Sequence, residues 1–100
     1  MPYIKQTLRD MLDPKINDLV AVLKKIDEDS GGEDLKGAVN YTLTRLLLKV
    51  LGKDKSGKKR YNLINDVIGV LGCVALQYYI KWALPYEDTK QQENGEVYDV

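Results

Sequence analysis

The stretch "YNLINDVIGVLGCVALQYYIKWAL", residues 61–84, decides the fold. Apolar side chains cover nearly its whole circumference, which predicts a helix buried at the centre of the protein. Its longest apolar run, 67–80, is bounded by Asp66 and Lys81, and a membrane-spanning helix needs about twenty apolar residues. We therefore expect the core helix of a soluble, cytoplasmic protein with no membrane partner. Pro85 should close the helix.

One side of this helix carries unusually small residues. They include Gly69, Gly72 and Cys73, and a glycine inside a helix costs about 1 kcal/mol relative to alanine. Such a stripe indicates that something approaches the backbone closely. We expect tight helix packing, within the chain or between copies of it, and the alternative is a ligand lying over the stripe.

Two further helices precede this one. Asp13 and Pro14 form a helix start, as N-cap and first helical residue, and they predict a helix over 14–28 after a short N-terminal turn. Gly31-Gly32 should break it, and a second helix should follow over 33–51, where the leucines and valines recur on one side. Helices joined by such short loops predict an all-α fold, a small antiparallel three-helix bundle.

The chain after Pro85 is polar and mostly acidic. We expect a helical domain over 1–85 and an irregular acidic C-terminal tail over 86–100. Within the tail, Glu87 and Asp88 are candidate contacts for a ligand or partner. They sit among polar residues, where nothing promises the burial that a catalytic acid or base requires.

Composition restricts the possible chemistry. Fifteen basic and fifteen acidic residues cancel, so no global field favours nucleic acid or a membrane surface. The absence of histidine, with Cys73 as the single cysteine, argues against zinc or another metal site. No nucleophile has a candidate base, so we expect neither an enzyme nor a cofactor.

The segment "GKDKSGKK", 52–59, mimics a phosphate-binding loop. A working loop of that kind follows a strand and places Ser or Thr after its lysine to hold Mg²⁺. Here a predicted helix precedes Gly52, and Lys59 takes the hydroxyl position. The segment keeps a cluster of basic residues that ends in Lys58, Lys59 and Arg60. This cluster is either a solvated turn or a site that attracts an anion such as a nucleotide.

Aromatic residues point to an interface. Tyr41, Arg45 and Leu48 fall on the side of the second helix away from its apolar stripe, and these residue types often anchor interfaces. The alternative is an ordinary exposed surface. Tyr61, beside Asn62, and Tyr86 would extend a partly wet interface.

The segments "VNYTLTRLL", "YNLINDVIGVLGCV" and "PYEDTKQQENGEVY" resemble a family of short uncharacterised proteins of bacteria, archaea and phages. The resemblance covers about sixty residues, mostly from Val39 onward, and the C-terminal segment is its most specific part. The chain departs from the family pattern at Gly72, where Glu is expected, and at Glu96, where Asp is expected. The resemblance implies a domain of unknown function, without an activity.

Two hypotheses follow. The first is a non-enzymatic, self-associating helical protein that binds copies of itself or another protein. Its support is the segregation of basic and acidic segments, which allows head-to-tail pairing. The second is a protein that binds a small anion, perhaps a nucleotide, through the basic loop over 49–60.

Overall fold

The structure is a computed structural model that describes residues 3–98. Its elements are listed here in chain order with the names used below: α1 Gln6–Asp29, α2 Leu35–Leu51, α3 Tyr61–Tyr78, a π-helical turn Tyr79–Ala83, and α4 Leu84–Asn94. No strand occurs within the described residues. The all-α class is confirmed, and the three long helical segments agree with a small three-helix bundle.

The chain divides into two compact units, Met1–Lys59 and Arg60–Val100. The first contains α1 and α2, and the second contains α3, the π turn and α4. The predicted division after residue 85 falls inside the helix of the second unit.

The first helix begins two turns earlier than predicted. Its N-cap is Lys5, with no side-chain cap, and Pro14 lies inside the helix. A proline there cannot bond the carbonyl of Asp10, which usually costs about 3 kcal/mol. Asp10 is exposed, so water can solvate that carbonyl, while Gln6 donates to its carboxylate at 2.7 Å. The predicted N-terminal turn is therefore part of α1.

A tight turn joins α1 to α2. Ser30 organises it, since its hydroxyl accepts a hydrogen bond from the Asp34 amide at 3.0 Å and lies 3.4 Å from the Asp27 carbonyl. Gly31 and Gly32 follow with φ of 62° and 87°, values that favour glycine. The sequence correctly places the helix break at these two glycines, although α2 begins at Leu35 instead of residue 33.

The two helices of the hairpin pack along one narrow seam. Its half-buried residues are Leu19, Leu23, Ile26, Leu35, Ala38 and Thr42. Their spacing of three and four residues is that of one helix face. The Thr42 hydroxyl donates to the Ala38 carbonyl at 2.8 Å, so its polar group is satisfied inside the seam.

The apolar stripe predicted for α2 is not the seam. Leu43, Leu46 and Val50 are exposed, although Leu35 and Leu47 are half-buried. The reason is geometric. After a short loop α2 packs back along α1, and this single neighbouring helix covers only part of the wide apolar face of α2. A second apolar face of α2 therefore lies at the surface.

The expected burial of the third helix is wrong for this structure. None of the described residues is buried, and Ile68 and Leu76 are each 63% exposed. The second unit is one continuous helix, Tyr61–Asn94, about 51 Å long at the standard rise. A single helix has no interior, so its apolar side chains find no cover within their own unit.

Pro85 does not end this helix, contrary to the prediction. The π turn lies directly before it, and the Leu84 amide bonds the Tyr79 carbonyl, five residues back. The extra residue in the π turn shifts the hydrogen-bond partners of the carbonyl groups near Pro85. Turns of this kind commonly accompany helix irregularities. The helix therefore passes Pro85, and residues 86–94, expected to be irregular, are helical.

Candidate functional site

The basic loop is a closed turn organised by Asp54. One oxygen of the carboxylate, Oδ1, accepts three hydrogen bonds: from the Ser56 amide at 2.9 Å, the Ser56 hydroxyl at 2.6 Å and the Lys58 amide at 3.0 Å. The backbone adds two bonds of 2.9 Å, one from the Gly57 amide to the Asp54 carbonyl and one from the Asp54 amide to the Lys58 carbonyl. Gly57 has φ of 81°, as the turn requires.

This geometry bears on the resemblance to a phosphate loop. Phosphate loops bind their ligand by pointing successive backbone amides at it. Here two of those amides, of Ser56 and Lys58, point at the loop's own carboxylate. Asp54 therefore occupies the position that an anion would take, and the basic side chains of Lys58, Lys59 and Arg60 lie exposed around it.

The helix that follows starts without a side-chain cap. Arg60 is the N-cap of α3, in an extended conformation, and its carbonyl accepts the first helical hydrogen bond from Ile64 at 3.0 Å. Tyr61 and Asn62 form the first turn and are exposed, with Tyr61 at 77%. The structure places these two predicted residues side by side at the helix start.

On α2 the predicted strip is also a surface feature. Tyr41, Arg45 and Leu48 are all exposed, and spacings of four and three residues put them on one side of the helix. This side lies away from the exposed apolar residues Leu43 and Leu46 and is not part of the seam with α1. The first unit therefore presents two separate exposed surfaces on α2, one with an aromatic and a cationic group and one with aliphatic groups.

The small stripe of α3 is open. A methyl group built on Gly69 or Gly72 would meet nothing within 4 Å, and Cys73 is exposed with a free thiol. Neither glycine is needed for packing inside the second unit. Any close approach to this backbone must come from outside it.

On α4, Tyr86 contacts a cation instead of its acidic neighbours. The Lys90 ammonium lies 5.6 Å from the centre of the Tyr86 ring and 3.2 Å from the Glu93 carboxylate. Glu87 and Asp88 are exposed. These three predicted residues thus lie on the first turn of α4, with Lys90 supplying a local positive charge.

The sequence did not predict the C-terminal hook, residues 94–98. Gly95 has φ of 80° and ψ of 170°, a region that is essentially restricted to glycine, and its amide bonds the Gln91 carbonyl at 2.7 Å. Glu96 then accepts from the Gln91 side chain at 2.6 Å and from the Tyr98 amide at 2.9 Å. The Asn94-Gly95 pair was the available signal, because it marks a turn.

The hook and α4 enclose a shallow groove. Its lining includes the carboxylates of Glu87, Asp88 and Glu96 together with Lys90 and Tyr98. Within residues 3–98, no group of three His, Cys, Asp or Glu side chains is arranged to hold a metal ion. The groove is a surface feature of the second unit, with no enclosed chemistry.

By length and composition, the long helix also satisfies the criteria for a membrane span. Tyr61–Asn94 contains a window of mean hydropathy 1.5, none of which is buried. The core helix of a soluble protein passes the same test. The helix is therefore an apolar surface that needs a cover, whatever that cover is.

Comparison with curated proteins and with solved structures finds no match. One family model, described as a domain of unknown function, matches residues 1–97. The match extends over both units, including the basic loop, α3 and nearly all of the hook. Its description assigns no activity to any residue. The chain belongs to this family, DUF6899, a domain of unknown function.

Proposed function

We propose that the chain is a non-enzymatic helical protein of the cytoplasm that acts by associating with copies of itself. The observation that supports this most strongly is the absence of any buried residue among those described, in a chain of which 44% is hydrophobic. Folded domains are stabilised mainly by removing such side chains from water. Helices that expose this much apolar surface are therefore expected to bury it against a partner.

The second unit makes the case most clearly. Six aliphatic residues of α3 are at least 37% exposed: Ile64, Ile68, Val70, Leu71, Val74 and Leu76. Covering the half of each side chain that is exposed would return about 5–9 kcal/mol per copy. Association costs about 4–15 kcal/mol in lost freedom, which is of the same size as this gain summed over two copies.

The first unit adds a second surface of the same kind. Leu43, Leu46 and Val50 are exposed on one side of α2, and Tyr41 and Arg45 are exposed on another. Tyrosine and arginine are enriched at interface centres, where a large side chain can be buried with its polar group satisfied. These residues support a protein interface on α2 as well.

A bilayer is the competing cover for α3. The charges of Asp66 and Lys81 limit the uninterrupted apolar run between them to fourteen residues, whereas a span needs about twenty. Asp66 and Lys81 lie about 22 Å apart along the helix, less than the roughly 30 Å thickness of the hydrocarbon core, so a span centred between them would place both charges inside the core. A helix of a second copy of the chain can pair those charges, whereas lipid tails cannot.

Size-exclusion chromatography with multi-angle light scattering tests the proposal. We expect the mass of a dimer or higher oligomer at about 10–100 μM, the range in which interfaces of modest strength are occupied. A single-chain mass over that whole range would remove the proposal. Recovery of the chain only in detergent or on lipid vesicles would favour the bilayer instead.

Binding of a small anion such as a nucleotide ranks second as a function. Its support is the exposed cluster of Lys58, Lys59 and Arg60, and Asp54 weakens it by occupying the Ser56 and Lys58 amides. Thermal shift against a nucleotide panel is the test. A shift that Lys58→Ala removes would support the site, and no shift with any nucleotide would exclude it.

A further inference from the structure

We propose that two copies of the chain pair through α3 in antiparallel orientation, so that Asp66 of each copy faces Lys81 of the other. This inference rests on the proposed self-association and names the charged stripe of α3 that sets the orientation of the two copies. The partner is a second copy of this chain, and the charges along the helix select it.

The surface in question is one stripe of the long helix. Asp66, Val70, Cys73, Gln77 and Lys81 follow one another at steps of four, three, four and four residues, the spacing of a single helix face. Gln77 is half-exposed and the other four are exposed. The stripe has an acid at one end, a base at the other and uncharged residues between them.

The two charges are placed almost symmetrically. Asp66 lies seven residues before Cys73 and Lys81 lies eight residues after it, a separation of about 22 Å along the helix. If two such helices run antiparallel and cross near Cys73, each Asp66 meets a Lys81 at both ends. If they run parallel in register, Asp66 meets Asp66 and Lys81 meets Lys81. Only the antiparallel pair is electrostatically complementary.

No charged residue other than Asp66 and Lys81 lies between Arg60 and Glu87. These two side chains are therefore the charges through which the stripe can distinguish one orientation of a partner helix from the other.

Symmetry makes the arrangement closed. A two-fold axis near Cys73 gives both copies the same contacts and leaves no unpaired end, as in most homodimers. Polar residues on such a seam fix register and orientation, which is the role that the argument assigns to Asp66 and Lys81.

Charge reversal in the full-length chain tests the orientation. In an antiparallel pair, Asp66→Lys or Lys81→Asp turns two attractive contacts into two repulsive ones, and we expect each variant alone to dimerise about tenfold more weakly or worse. The two single variants mixed together should regain the wild-type dissociation constant, since every contact is then complementary. The double variant D66K/K81D should regain it as well.

The matched controls are Asp18→Lys and Lys15→Asp, which change net charge equally at exposed positions of α1. They should leave the dissociation constant within about twofold, because exposed charges far from an interface are screened. Circular dichroism of each variant verifies that its helices are intact before dissociation constants are compared.

Disulfide trapping gives an independent readout. In a Cys73→Ala background, Val70→Cys lies three residues before position 73 and Gln77→Cys four residues after it, on opposite sides of the crossing point. An antiparallel pair predicts a mixed V70C–Q77C disulfide when the two proteins are combined and oxidised. A parallel pair predicts V70C–V70C and Q77C–Q77C products.

The outcomes separate this inference from the proposed function. An oligomer whose dissociation constant is insensitive to both charge reversals, or which forms only the like-with-like disulfides, overturns the antiparallel α3 pair and leaves self-association standing. A wild-type chain that stays monomeric overturns both. Restoration in the mixture, together with the mixed disulfide, establishes the pair.

Discussion

At the scale of single residues, Asp54 decides what the basic loop is. Its carboxylate accepts the amides of Ser56 and Lys58 and the hydroxyl of Ser56. The sequence alone excludes a true phosphate loop, because Lys59 stands at the hydroxyl position. It does not reveal that a carboxylate of the loop takes the place of the anion, since that depends on the turn geometry at Gly57.

The first prediction concerns that carboxylate. Asp54→Ala should remove the acceptor of both amides and speed their hydrogen exchange about tenfold, the equivalent of one net hydrogen bond of roughly 1.4 kcal/mol. Hydrogen exchange followed by NMR at Ser56 and Lys58 measures it. Asp54→Asn, which keeps an oxygen at the acceptor position, should retain most of the protection. Unchanged exchange in the alanine variant would show that the carboxylate does not hold the loop.

At the scale of elements, the hairpin seam is the nearest feature to a core. Leu23 is half-buried between α1 and α2, whereas its neighbour Val22 is 54% exposed on the outer side. The two positions therefore separate packing in the seam from general hydrophobicity.

Truncation at these positions gives the second prediction. We expect Leu23→Ala to lower the free energy of unfolding by about 1–2 kcal/mol, less than at a fully buried leucine because part of the side chain is already in water. Val22→Ala should change it by about 0.5 kcal/mol or less. Urea unfolding followed by circular dichroism compares the two. Equal losses would contradict the seam.

The π turn is the second feature at this scale. It lies directly before Pro85, which can donate no hydrogen bond, and the Leu84 amide bonds Tyr79 instead of Ile80. The proline therefore explains the irregularity, and removing it should relax the helix to regular α geometry.

The third prediction follows from that cause. Pro85→Ala should restore a regular hydrogen bond in the last turns and raise the local stability of residues 79–90 by about 1–3 kcal/mol. Slower hydrogen exchange of these amides in the variant measures the gain. Ala83→Pro serves as the contrast, since a second proline two residues away should open the same turns. Faster exchange in Pro85→Ala would mean that the π turn has another origin.

Elements were predictable where the signal was local. The backbone freedom of Gly31 and Gly32 ends α1, and Gly52 ends α2, as the sequence indicates. Pro14 and Pro85 misled because proline usually marks a helix boundary, whereas exposed carbonyls at Asp10 and a π turn before Pro85 let both helices continue. The burial of α3 was not predictable from its composition, since apolar residues signal a need for cover without identifying the cover.

At the scale of the whole molecule, the two units share a property. Each unit has an apolar helix face that it does not cover, on α2 in the first unit and on α3 in the second. A chain of 100 residues folded as a monomer normally buries well over half of the surface exposed by its unfolded form. The proposed self-association would supply what neither unit supplies for itself, and it would connect the exposed faces to the charge pattern of α3.

The fourth prediction tests this account most directly. If copies of the chain cover one another, folding and association are linked, so the thermal unfolding midpoint should rise by several degrees as the concentration increases about a hundredfold. Circular dichroism melts from about 2 to 200 μM, in cells of matched path length, measure it. A midpoint that rises steadily with concentration is the predicted result. A midpoint that is constant over this range would contradict the central claim that a second copy covers the apolar helices.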